Sequence, residues 1–176
     1  MNDHVPQGRR RGRPPLVTTE RIIDAGIALT LPALSMRGVA EALGISEMTL
    51  YRHVDNLAGL RRTVAQGIWA RTDFPEPDSP DPRRALLELA EAMRAMASRH
   101  PGIGSCLLNL DPGSELIFET IEHNQRAWAE RYGWAPARAS VIVSTVTSCA
   151  VALGELTAQG GEQLMEAGHL RAGPGG

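Results

Sequence analysis

Two short stretches hold the side chains with the most capacity for chemistry. The first reads GRRRGRPP from Gly8 to Pro15 and sets Arg9, Arg10, Arg11 and Arg13 close together. Guanidinium forks bind phosphate bidentately and are drawn to the negative potential of a narrow minor groove. The second stretch offers Ser35, Arg37, Ser46, Glu47, Met48, Thr49, Tyr51, Arg52, His53 and Asn56. Hydroxyls, an amide and fork-shaped cations at such density suit phosphates and base edges. Nothing comparable suits catalysis. Gly102 and Gly104 lack the third glycine of a dinucleotide loop, and there is no serine elbow, phosphate loop or metal-ligand pair. Cys106 and Cys149 are too few for a disulfide framework or a zinc site, and their apolar neighbours read them as buried thiols. His100 and His123 stand alone. No enzymatic activity, cofactor or metal is expected.

The charge is unevenly spread. The chain has 176 residues and no lysine, so its 18 basic residues are all Arg. Residues 1–62 hold 9 Arg against 6 acids, and the remainder holds 9 Arg against 14 acids. A basic head on an acidic body suggests an anion-binding segment joined to a unit with another task. The 43% apolar and 22% charged shares are those of a globular chain. The Arg-rich start lacks the apolar core of a signal peptide. The longest uncharged stretch, Ala139–Gly154, is short of the roughly 20 apolar residues of a membrane span. A cytoplasmic protein with no membrane partner is the expectation.

Periodicity and caps predict an all-α fold, since no stretch alternates as a strand does. Thr18 or Thr19 opens the first helix, which carries Ile22, Ala25 and Leu29. Ser35 caps a short second helix, Met36–Leu43, ended by Gly44. Ser46 caps a third, expected to run to about His53. A fourth begins near Asn56. The proline-rich Phe74–Pro82 is a linker. Beyond it, one helix carries Leu86, Leu89, Met93 and Met96 to the Pro101-Gly102 break, and another carries Ile117, Ile121, Asn124 and Trp128 to Gly133. A long helix is expected over Arg138–Thr157, apolar almost all round and so buried on more than one side, followed by a short one over Glu162–Leu170. The expected organisation is a disordered basic arm (1–17), a helix-turn-helix head (18–66), a helical effector-binding and dimerisation domain (67–172) and a flexible tail (173–176).

Ala40, Gly44 and Leu50 have the spacing of a helix-turn-helix. The alanine allows close approach, the glycine accepts the turn's positive φ and the leucine plugs the corner. On spacing alone a plain helical hairpin fits too. The string Leu43-Gly-Ile-Ser-Glu-Met-Thr-Leu-Tyr-Arg-His-Val-Asp-Asn-Leu57 resembles the DNA-binding domain of the tetracycline-repressor (TetR) family, closely over residues 18–62 and beyond them only in helix order. The resemblance implies that Arg37 reaches a guanine edge or a phosphate, that Thr49 and Tyr51 meet phosphate or base, and that His53 touches phosphate. Tyr51 and His53 could equally pack the three-helix core. The family usually has Lys at the start of helix four. Leu57 stands there instead, leaving Asn56 and backbone amides for that contact.

The arm resembles an AT-hook, with a basic solvated tail as the alternative reading. By resemblance, the second domain holds a small apolar effector, with Met93, Met96, His100, Cys106, Leu107, Phe118, Ile121, Trp128 and Trp134 as candidate lining; simple core packing is the alternative for each. Cys106 stands near the place where, in the tetracycline-binding branch, a His helps hold the metal-bound drug, so that drug is not expected. Val141, Val143, Thr145, Val146, Cys149 and Leu153 are candidates for a homodimer interface, although the C-terminus looks short for the usual bundle. The function implied is that of a repressor. Its two recognition helices would meet a palindromic double-stranded operator about 34 Å apart, and it would be released when effector binding moves helix four. A nucleoid-type structural protein held by its arm is the competing class.

Overall fold

A computed structural model describes residues 17–110 and 112–171, with side chains to residue 160. The described residues form helices and no strands: α1 (Thr19–Leu29), α2 (Met36–Leu43), α3 (Glu47–Leu50), α4 (Leu57–Ala70), α5 (Pro82–Arg99), α6 (Ile103–Leu108), α7 (Glu115–Tyr132) and α8 (Pro136–Arg171). The fold is all-α, as the periodicity predicts. The arm with Arg9, Arg10, Arg11 and Arg13, and the tail 173–176, lie outside the described residues.

Local chemistry sets most boundaries. The side chains of Thr18, Ser35, Ser46, Asn56 and Asp81 each accept from a backbone N–H in the first turn of α1 to α5. Pro82 opens α5, where its missing N–H would have no partner anyway. Gly44 ends α2 at φ 69°, and its N–H reaches the carbonyls of Ala40 and Glu41.

Three elements depart from the expected pattern. The third α-helix is a single turn ending at Leu50. Residues 51–53 continue as a tighter turn, with Arg52 N–H bonded to Thr49 O and His53 N–H to Leu50 O, before Val54 turns inward. Helix α6 was not expected, because six residues show no period. Helix α8 is continuous over 36 residues, so the separate Glu162–Leu170 helix is its extension through Gly160 and Gly161. Two interior glycines cost roughly 1 kcal/mol each relative to alanine, which a helix already anchored along its first half tolerates.

One apolar core runs through the molecule. In the head it holds Ile22, Leu34, Val39, Leu43, Leu50, Leu60 and Val64, and in the body Leu89, Met93, Met96, Ile103, Ile117, Trp128 and Val143. Each such large side chain stabilises the fold by about 1.5–3 kcal/mol when removed from water. Helix α4 contributes to both parts. Its Gly67 lies under Ile23 of α1, and Gly26 of α1 lies under Val64 of α4, so neither glycine has room for a Cβ. Arg71, just past α4, bridges back to Glu20 at 2.6 Å and Asp24 at 2.8 Å. These ion pairs are exposed and add little.

Helix α8 packs chiefly along α5 and secondly on α7. Ala139, Val143, Ala150, Val151 and Gly154 face inward. Val141, Thr145, Cys149 and Leu153 face out, so the uncharged span is buried on one side rather than several. By length and composition alone Pro136–Gly160 could cross a membrane; in the fold its inward face is occupied by α5 and α7. The tightest contact is at Gly154, where a Cβ would sit 2.5 Å from Arg94 O and 2.7 Å from Ala97 Cβ. Gly154→Ala is therefore expected to lower the unfolding free energy by about 2 kcal/mol through overpacking. Urea denaturation checks this, and an unchanged midpoint would count against the close approach.

Candidate nucleic-acid interface and ligand cavity

The turn Gly44-Ile45-Ser46 joins α2 to α3. Leu50 is 0% exposed and fixes α3 to the head, while Met48 is 71% exposed. Glu47, Tyr51, Arg52 and His53 are exposed beside it, and Thr49 is half-buried. Tyr51, 47% exposed, and His53 lie at the surface rather than inside the three-helix core.

Several expected contact residues already have intramolecular partners. Ser35 Oγ accepts from Gly38 N–H at 3.0 Å, and Asn56 Oδ1 from Gly59 N–H at 2.9 Å. Ser46 Oγ accepts from Thr49 N–H at 3.2 Å and shares a hydrogen bond with Thr49 Oγ1 at 2.9 Å. These three residues are helix caps on the exposed surface, and each keeps hydrogen-bonding capacity to spare. Arg37 Nε donates to Glu41 Oε1 at 2.8 Å, which lays the guanidinium along α2 in the open. Leu57 begins α4 without a cation, as the sequence indicates.

The body contains a cavity of about 480 Å³, a size that suits a small molecule. Its walls are the end of α4 with Trp69, Phe74 of the linker, Leu89 and Met93 of α5, helix α6, and facing parts of α7 and α8. Trp69 and Phe74 have ring centroids 4.7 Å apart. Of the expected lining residues, Met93, Leu107 and Ile121 are in the wall. Met96 is buried in the core instead, and Phe118 is exposed. Trp128 and Trp134 form an aromatic cluster with Tyr132, whose hydroxyl donates to Ser79 O at 2.7 Å, while Arg131 Nε donates to Pro77 O at 3.1 Å. That cluster clamps the linker. His100 ends α5, where burial, and secondarily Arg99, pulls its imidazole below the usual histidine range. Cys106 is half-buried outside the lining, and burial pushes its thiol up. Cys149 is exposed rather than buried.

The cavity's polar residues, including Asn124, Gln125, Thr147 and Glu155, were not among those expected from sequence. Two signals could have found them: Asn124 interrupts an apolar stripe, and Glu155 is the first acid after the uncharged span. Among the expected interface residues, Val141, Thr145, Cys149 and Leu153 share the outward face of α8 and Val146 is half-buried. Val143 does not belong with them. It is buried and lines the cavity, because a step of two residues turns the side chain to the far side of a helix.

The loops at either end of α6 meet α4 and the α1–α2 loop at two points. Gly102, at the start of α6, stands against the α1–α2 loop, where a Cβ would lie 3.0 Å from Pro32 Cδ and 3.2 Å from Leu31 Cβ. Gln66 of α4 donates to Gly113 O at 2.7 Å, between α6 and α7.

This architecture is the fold of TetR-family proteins. The chain superposes on apo ActR of Streptomyces coelicolor with a TM-score of 0.67 and 21% identity, covering 90% of this chain and 80% of that one. On the same TetR-family protein in complex with actinorhodin the TM-score is 0.63 at 23% identity, over 86% and 74% of the two chains. In sequence the chain is 34% identical over 101 residues to the HTH-type transcriptional repressor DrrR1 of Streptomyces coeruleorubidus. That match takes in 53% of this chain and 37% of the relative, so the chain spans little more than a third of the relative's length. No family model matches the chain.

The contrast between Leu50 and Met48 gives a stability test. Leu50→Ala should cost about 2–5 kcal/mol, whereas Met48→Ala should stay within about 0.5 kcal/mol. Equal effects in urea denaturation would contradict the inward and outward assignment.

Proposed function

We propose that the chain is a TetR-family transcriptional regulator: a cytoplasmic homodimer that represses by reading a palindromic operator and is released by a small, mainly apolar effector. The observation that carries this is α3, a capped single turn whose Leu50 is anchored in the head while Met48 projects outward beside Tyr51, Arg52 and His53. Side chains so presented suit base edges, and Ser35, Arg37, Ser46, Thr49 and Asn56 around them suit phosphates. The arm residues Arg9, Arg10, Arg11 and Arg13 add a minor-groove contact. The chain then divides into arm (1–17), head (18–66), effector and dimerisation domain (67–172) and tail (173–176). DrrR1 is a repressor by name and ActR has been seen with actinorhodin, which favours repression and ligand control here.

The outward face of α8 supports dimerisation: Val141 is 67% and Leu153 57% exposed on a face that carries no charge from Ala139 to Gly154. Control by ligand follows from the walls of the cavity. Helix α6 is one wall and begins against Leu31 and Pro32 of the head, and Trp69 of α4 is another. An effector that prefers one placement of these elements shifts the spacing of the recognition helices by its differential affinity.

Selection from a random duplex library at two salt concentrations tests this function. A palindrome with half-sites about one helical turn apart is the expected result. Enrichment of A·T tracts alone would replace the proposal with an architectural role. Deleting residues 1–15 should weaken binding and flatten the salt dependence by about 0.9 per lost phosphate contact; unchanged affinity at both salts would remove the arm from the interface. Leu153→Arg should give monomers in sedimentation and lose the palindrome, whereas an intact dimer would move the interface elsewhere.

A further inference from the structure

The described cavity wall carries one ionisable side chain, while Arg61 stands outside it within electrostatic reach of Cys106. Among the cavity's described lining residues Glu155 alone is ionisable, and the others are apolar or neutral hydrogen-bonding side chains. Glu155 follows Gly154, the point at which α8 is pressed against the backbone of α5, so its position on the wall is rigidly set. One carboxylate oxygen accepts from Gly104 N–H at 2.6 Å, which fixes the group's orientation. A carboxylate offers about four acceptor sites, and no other hydrogen bond to Glu155 is made among the described residues. Gly104 is equally committed, since a Cβ there would lie 2.9 Å from Glu155 Cδ and from Val151 Cγ1. Trp69 and Phe74, packed on each other with ring centroids 4.7 Å apart, line the same cavity. Aromatic faces attract cations, and an anion would meet an acceptor-rich carboxylate with no basic partner in the described wall.

We infer that the cavity takes a cationic aromatic ligand whose positive centre pairs with Glu155 and whose apolar body lies against Trp69 and Phe74, and that it discriminates against organic anions. This rests on the cavity's being the effector site proposed above and names the ligand class it selects. Glu155 acts there as a recognition residue. Its bond to Gly104 keeps the carboxylate aimed before the ligand arrives, so less ordering is needed on binding.

Two dyes on one ring system test it: rhodamine 6G, a xanthene cation, and fluorescein, a xanthene anion. Their binding to the full chain is followed by fluorescence anisotropy without DNA. The expected result is one rhodamine 6G per chain, bound at least tenfold more tightly than fluorescein. Glu155→Gln keeps an acceptor for Gly104 N–H while removing the charge, and should bring the two affinities within threefold at an unchanged thermal midpoint. A wild-type preference under tenfold, a preference for the anion, no binding of either dye, or a preference that survives in E155Q would overturn the inference. Should E155Q not fold, the wild-type comparison decides alone. A palindrome selected by a chain that shows no cation preference removes this inference and leaves the regulator function standing. A cation preference in a chain that selects no palindrome does the reverse.

Discussion

The crossing of α1 and α4 is the constraint on which the rest depends. Gly26 admits Val64 and Gly67 admits Ile23, so the two helices lie closer than any side chain between them would allow. That reciprocal fit fixes α4 along its length. Its capped start lies just beyond the turn after α3, and its end places Trp69 in the wall of the cavity. At 1.5 Å per residue the helix spans about 21 Å. Helix α4 is thereby shared by head and body, meeting α1 on one side and α6 and α7 on the other. The expected boundary between residues 66 and 67 falls within this helix, so the two units are joined by a continuous element, while the proline-rich linker lies further on, between α4 and α5.

The rest of the body holds α4 in place. Helix α5 backs onto α8 through Gly154, α7 clamps the linker through Tyr132 and Arg131, and α6 is wedged between α8 and the head. Short α6 is the helix of the body with the least core of its own, with Ile103 and Gly104 buried. Its attachments are individually small: a carboxylate bond at Gly104, the contact of Gly102 with Pro32, and a few apolar side chains. Elements held by few contacts open most readily, and binding sites draw on them for that reason. The cavity and the contact with the head therefore share the least secured helix of the body.

Much of the fold was legible in the sequence because it is local. Caps such as Ser35, Ser46 and Asn56, the turn at Gly44 and the inward Leu50 are dictated by residues within one or two turns of each other, and they fall where expected. Tyr51 and His53 suit a half-buried site as residue types, and the structure leaves both exposed beside the buried Val54. The cavity was poorly legible for the opposite reason. Its wall is drawn from α4 to α8, and membership depends on helix rotation, which hydrophobicity alone does not give. Large aromatic and sulfur side chains were natural candidates. Trp128, Trp134 and Met96 were needed for packing, and the smaller polar residues between them face the open space. Val143 shows the same limit on α8, where an apolar residue fits either face and only the position of α5 and α7 sorts one from the other.

Helix α4 thus binds head and body into one cooperative unit. Native-state hydrogen exchange measures this most directly, since it assigns an opening free energy to each amide. Amides in the second half of α4 and in the facing part of α1 should open with the same free energy and denaturant dependence as those in the middle of α5 and α8. Exchange of α1 through α4 in a separate, lower-energy opening, with α5 and α8 still protected, would contradict it.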